Sequence, residues 1–202
     1  QHYLEGNKEL FEGLKIMELE KEWKHHPVIR LDMSRGGATS ETIRSYLNIR
    51  FKYYEEKYGI DVDPTAQLAD RFDAIIVSAY KQTGQPVAVL IDEYDAPLQH
   101  SWKTDAHEGC TETYREVFAI LKADDEYERF VFITGITKFT QISLFSVLNN
   151  LTNISFEPEY AAICGITEEE IAANFGYEVK KMADVNGWTA EETHARLKEF
   201  YD

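Results

Sequence analysis

Apolar residues recur along this chain in two rhythms. Between Ser40 and Gly59, the residues Ile43, Tyr46, Leu47, Phe51 and Tyr54 fall three or four positions apart, the repeat of a helix with one buried face. Leu68, Phe72, Ile75, Ile76 and Ala79 repeat it in a second long helix, expected to start at Pro64. Tyr114, Val117, Phe118 and Leu121 repeat it over a third, Thr111 to Lys122. Three stretches break that period. Val28 to Ser34 alternates in character, whereas Val87 to Ile91 and Phe130 to Ile136 are apolar almost throughout. They predict strands, the last two covered on both faces. Strands alternating with helices imply an open parallel α/β sheet with right-handed crossovers.

The flanks read differently. Leu10, Phe11, Leu14, Met17 and Leu19 have rough helical spacing, and Gly6 and Gly13 divide the stretch into two short helices. Leu144, Phe145, Val147, Leu148 and Leu151 suggest another short helix, with a brief strand at Ile154 to Phe156. Thr167 with Glu170, and Thr189 with Glu192, are two capping boxes. Each opens a helix, one through Met182 and one through Tyr201. The expected organisation is an α/β core over 1–165, then the start of a small helical subdomain over 166–202.

Charge narrows the partners. The 202 residues hold 36 acidic and 21 basic side chains, a net charge of -15. The first 60 are balanced, so the whole excess lies beyond them. Such a surface repels phosphate backbones, and direct nucleic-acid binding by this chain is not expected. No apolar run exceeds about seven residues, short of the ~20 that span a bilayer. Two cysteines, Cys110 and Cys164, in a chain of this length fit a reducing, cytoplasmic setting.

In open α/β sheets, ligands collect at the carboxyl ends of the strands. The strand ending at Ile91 delivers two adjacent carboxylates there, Asp92 and Glu93. Neighbouring strand-end residues point in opposite directions. One carboxylate can therefore hold Mg²⁺ beside nucleotide phosphates, while the next orients or deprotonates an attacking water. Thr134, ending the next strand, offers a hydroxyl to that water or to a γ-phosphate. Lys138, four residues on, is a candidate phosphate contact. Asp32, near the end of the first strand, either joins the same polar edge or, the reading preferred, caps a turn. His25-His26 and the His107-Glu108-Gly109-Cys110 run lack the second ligand pair of a zinc site. No Gly-x-Ser-x-Gly elbow is present, and Glu178-Val179-Lys180 has nuclease-like letters but lies in an expected helix.

These residues resemble the AAA-ATPase-like family of Bacteroidales and related anaerobes, a branch of the P-loop NTPases. The resemblance lies in Leu4 to Glu22 (around NKELFEGLKIMELEKEW), PVIRLDMS from Pro27, VAVLIDEYDAPL from Val87, RFVFITGITKFTQISLFSVLNNL from Arg129, and FEPEYAAICGITEEEI from Phe156. It implies a RecA/AAA-like three-layer fold, with VAVLIDEYDAPL from Val87 as the Walker B strand. It also implies Asp92 as the Mg²⁺-side carboxylate, Glu93 as the water-activating one and Thr134 as the sensor, with ATP and Mg²⁺ as cofactors of the full-length protein. Relatives often carry a nuclease-like domain of the PD-(D/E)XK type further on. One element of the pattern is missing: the 202 residues contain no Gly-Lys pair, hence no Gly-x-x-x-x-Gly-Lys-Ser/Thr phosphate loop. The sequence therefore reads as a fragment without its Walker A strand, expected to be inactive alone. The competing reading is a catalytically inactive α/β protein-interaction module, and no protein partner is identified by either.

Overall fold

Three parallel strands pair in the order β1 (Val28–Asp32), β2 (Val87–Asp92), β3 (Glu128–Ile133). The computed structural model describes residues 1–63, 65–136 and 150–201. The register sets Asp32 opposite Asp92 and Ile91 opposite Ile133, so the carboxyl ends of the strands share one rim. Between Val87 and Ala88 the pairing with β3 slips past Arg129, a bulge at the other end of the sheet.

Short turns come first: a 3₁₀ segment at Lys8–Phe11 and helix α1 at Ile16–Leu19. The crossover from β1 to β2 runs through α2 (Ser40–Lys57) and α3 (Leu68–Thr83). From β2 to β3 it runs through α4 (Ala96–His100), α5 (His107–Phe118) and α6 (Ile120–Ala123). The cap of α2 is Thr39, whose side chain and that of Thr42 exchange bonds with each other's backbone N–H groups. The expected start of α3 at Pro64 lies outside the described residues. Leu68 is its first helical residue, and Gly84, at φ 64°, ends it in a left-handed turn. Helix α5 starts ahead of the expected Thr111, and the helical run breaks at Ala119.

Both crossovers step the same way along the sheet, so right-handedness puts their long helices on the same face. There Ile29, Leu31, Val87, Val89 and Ile91 join one core with α2, α3 and α5. Phe51 stacks on Phe72 at 5.2 Å, and Tyr114 meets Phe118 edge-on at 5.1 Å. The opposite face carries Arg30, Leu90, Phe130 and Phe132, one from each alternate position. That face corrects two expectations. Among the described residues the long helices form one layer on the sheet, not two. Of the two strands expected to be covered on both sides, β3 is not: Phe130, on the face away from the long helices, is 45% exposed.

The short helix expected around Leu144 lies outside the described residues, and Ile154 to Phe156 forms a turn instead of a strand. The chain divides into two compact units, Gln1–Leu151 and Thr152–Asp202. The 1–165 and 166–202 division drawn from sequence sets its boundary further along. Within the second unit both capping boxes form. The run opened by Thr167 breaks at Phe175 into α7 (Glu168–Asn174) and α8 (Gly176–Asn186), and α9 spans Ala190–Tyr201. Thr193 is fully buried there, its hydroxyl donating to the Thr189 carbonyl at 2.8 Å.

Candidate functional site

Val87, Val89 and Ile91 of β2 face the core, and the first polar residue after them emerges at the rim. That residue is Asp92. Its Oδ1 accepts the Thr134 hydroxyl at 2.6 Å, and its Oδ2 faces Arg30 of β1 at 3.3 Å. The Thr134 bond, with the Arg30 guanidinium behind it, holds the Asp92 carboxyl below its ordinary range. At neutral pH it is an ionised oxygen donor. About half of its side chain remains open to solvent.

Glu93 is exposed and adopts φ 50°, a left-handed conformation unusual for a residue with a side chain. The kink turns the chain out of the strand, and Ala96 N–H closes it by donating to the Glu93 carbonyl at 3.0 Å. The two adjacent carboxylates thus diverge, one held within the sheet rim and one free to face solvent. Thr134 sits just past β3 and is tied on both sides: its N–H donates to Ile91 O at 2.9 Å, and its carbonyl accepts Tyr94 N–H at 3.0 Å. Lys138 lies outside the described residues. Asp32 behaves as a turn cap, accepting Ser34 Oγ at 2.6 Å and Ser34 N–H at 3.3 Å.

Two residues of the rim escaped the sequence reading. Arg30 is the one exposed position of β1, and a lone charge inside an apolar strand was the available signal. Asp95 is completely buried beneath the same rim, and the apolar Ala96, Pro97 and Leu98 that follow it, also buried, were the available signal. Among the described residues no three His, Cys, Asp or Glu side chains are grouped to hold a metal ion. His107 instead meets the Ser101 hydroxyl through Nδ1 at 3.1 Å, and Cys110 is buried in the core.

An ionised carboxylate, a hydroxyl and a second carboxylate at the carboxyl rim of a parallel sheet are the parts the sequence assigned to nucleotide chemistry. A family model described as predicted AAA-ATPase matches residues 1–145. The chain belongs to that family. Its match takes in β1, β2, β3 and the rim residues. The chain is also 31% identical over 199 residues to an uncharacterised protein in the vnfD 5' region of Azotobacter chroococcum mcd 1, covering 94% of this chain and 38% of that protein. The chain thus spans well under half the length of that relative. No solved structure matches it. Among the described residues no helix is long and apolar enough to cross a membrane.

Proposed function

We propose that this chain carries the hydrolytic rim of an ATP-hydrolysing unit, completed by a phosphate loop from outside these 202 residues. The observation that supports it best is the Thr134 hydroxyl bonded to the Asp92 carboxylate across adjacent strand ends. Asp92 suits Mg²⁺, which takes oxygen ligands and is commonly held by one or two carboxylates with waters and phosphates. Bound there, the ion neutralises charge on the nucleotide phosphates. The chain's own residues do the rest. Asp92 keeps its charge through Thr134 and Arg30. Glu93, turned outward by its left-handed backbone, orients the attacking water and accepts its proton. Thr134 places a hydroxyl at the same rim to register the terminal phosphate, and Lys138, four residues along the sequence, is the candidate phosphate contact.

The test is Mg²⁺-dependent phosphate release by the full-length protein. Glu93→Gln lowers kcat by about 10²-fold or more while nucleotide binding, followed by calorimetry, persists. Unchanged turnover in that variant removes Glu93 from the chemistry. The 202-residue chain alone binds ATP weakly, since it lacks the Gly-Lys loop; micromolar affinity would contradict this reading.

A second reading, an inactive α/β interaction module, draws support from the Arg30–Asp92 ion pair, which partners the carboxylate with the chain's own guanidinium in place of a metal ion. Wild-type full-length protein with no nucleotide turnover decides in its favour.

A further inference from the structure

Asp95 stands just before α4, where an aspartate ordinarily caps a helix, yet its side chain makes no capping bond to that helix. Its carboxylate reaches across to the turn after β3. Ile136 N–H donates to Oδ2 at 3.1 Å and to Oδ1 at 3.4 Å, and Gln99 Nε2 donates to Oδ2 at 2.6 Å. Burying a carboxylate costs several kcal/mol unless bonds offset it, so complete burial at this point reflects a specific set of contacts. The fit is also steric. A Cβ at Gly135 would lie 2.4 Å from Asp95 Oδ1 and 2.5 Å from the Tyr94 ring. Only glycine lets the turn close down on Asp95.

The same turn has a second tie. Tyr94 N–H holds the Thr134 carbonyl at 3.0 Å, and the Tyr114 hydroxyl of α5 holds the Tyr94 carbonyl at 2.7 Å. β3 ends at Ile133; Thr134 keeps one bond to the neighbouring strand, its N–H to Ile91 O at 2.9 Å, and the turn beyond it is held by these anchors. We propose that Asp95 is the positioning residue of the rim: through Ile136 and the glycine-only approach at Gly135, it pins the turn after β3 and so keeps the Thr134 hydroxyl on Asp92. The structural claim stands on contacts alone, and its catalytic consequence rests on the ATPase reading.

Two measurements on the full-length protein separate these claims. Hydrogen exchange followed by mass spectrometry reads a peptide containing Ile136. In Asp95→Ala its amide protection falls about tenfold, Asp95→Asn, which keeps one acceptor oxygen, restores most of it, and peptides of α2 and α3 exchange as before. Should Asp95→Ala fail to fold, Gly135→Ala, which wedges the turn away from an intact Asp95, produces the same local loss. Unaltered Ile136 exchange in the folded variants overturns the proposal. In the second measurement, Asp95→Ala lowers kcat for ATP about tenfold while KM changes less than about twofold, and Asp95→Asn recovers most of the lost kcat. Loss confined to KM, or no change, overturns the catalytic consequence. A wild-type protein without turnover refutes the ATPase reading and leaves the exchange result to judge the contact.

Discussion

Along the outer edge of β1, Arg30 N–H donates to the Tyr54 hydroxyl at 2.7 Å and Asp32 N–H to the Tyr46 hydroxyl at 2.8 Å. Both tyrosines come from α2, whose other residues fill the core. On the β3 side, Phe130 is 45% exposed. Glu128, the first residue of β3, keeps a buried Oε1 with no partner among the described residues, as does Asp124 Oδ2 nearby. Burial, with Asp124 and Asp125 adding their charges, pushes Glu128 up to about 8. Burial, with Asp73 and Glu126, pushes Asp124 up to about 7. One edge is therefore closed by the chain's own hydroxyls, and the other holds carboxylates whose neutral forms it prefers. The less finished edge is the one that carries Thr134 to the rim, so the site proposed above lies at the edge with fewer satisfied groups.

Breaking the closed side has the largest expected effect. Phe72→Ala removes a fully buried ring stacked on Phe51 and costs about 3–5 kcal/mol in urea unfolding; a loss below about 1 kcal/mol would show that side to be loosely packed. Next comes Tyr54→Phe, which leaves Arg30 N–H without its acceptor and costs about 1–2 kcal/mol by the same measurement. A neutral outcome would mean that water replaces the hydroxyl and that the β1 edge is not closed in the sense drawn here.

On the open side the sign reverses. Glu128→Gln removes a carboxylate whose folded form holds its proton more tightly than the unfolded chain does. That group contributes no penalty at low pH, and the penalty grows as pH rises from its ordinary 4.5 to about 8. Stability of the natural protein relative to the variant thus declines across that window. The variant gains about 1 kcal/mol at pH 8, a figure reduced for the solvent that reaches a half-buried group, and almost nothing near pH 4.5. A pH-independent difference would rule out this cause. Phe130→Thr is the smallest change, within about 0.5 kcal/mol, since its ring is already half in solvent.

Much of the local structure was legible before the fold. The threefold and fourfold spacing in α2 and α3 identified their buried faces: the core contains Ile43, Leu47, Phe51 and Tyr54 and the α3 residues from Leu68 to Ala79 named above, with Tyr46 partly buried against it. The apolar run Val87 to Ile91 marked the central strand. Phe130-Val131-Phe132 looked the same in sequence, yet among the described residues no long helix covers the face of Phe130, because apolarity records what a strand prefers to cover and not whether a layer is there to cover it. The break at Phe175 was missed for a related reason: the capping box at Thr167 fixes where a helix starts, not how far it runs.

The rim divides along the same line. That Asp92 and Glu93 follow one strand and Thr134 another is a property of the chain, since a buried strand yields its first polar residue where the sheet ends. That Asp92 meets Thr134, 42 residues away, and Arg30, 62 residues away, was decided by parallel register alone, because side chains share a face only when their strands are aligned to the residue. The burial of Asp95 was likewise settled in three dimensions. Its desolvation is offset by a backbone N–H that no local pattern places beside it, supplied when the turn after β3 folds onto the start of α4.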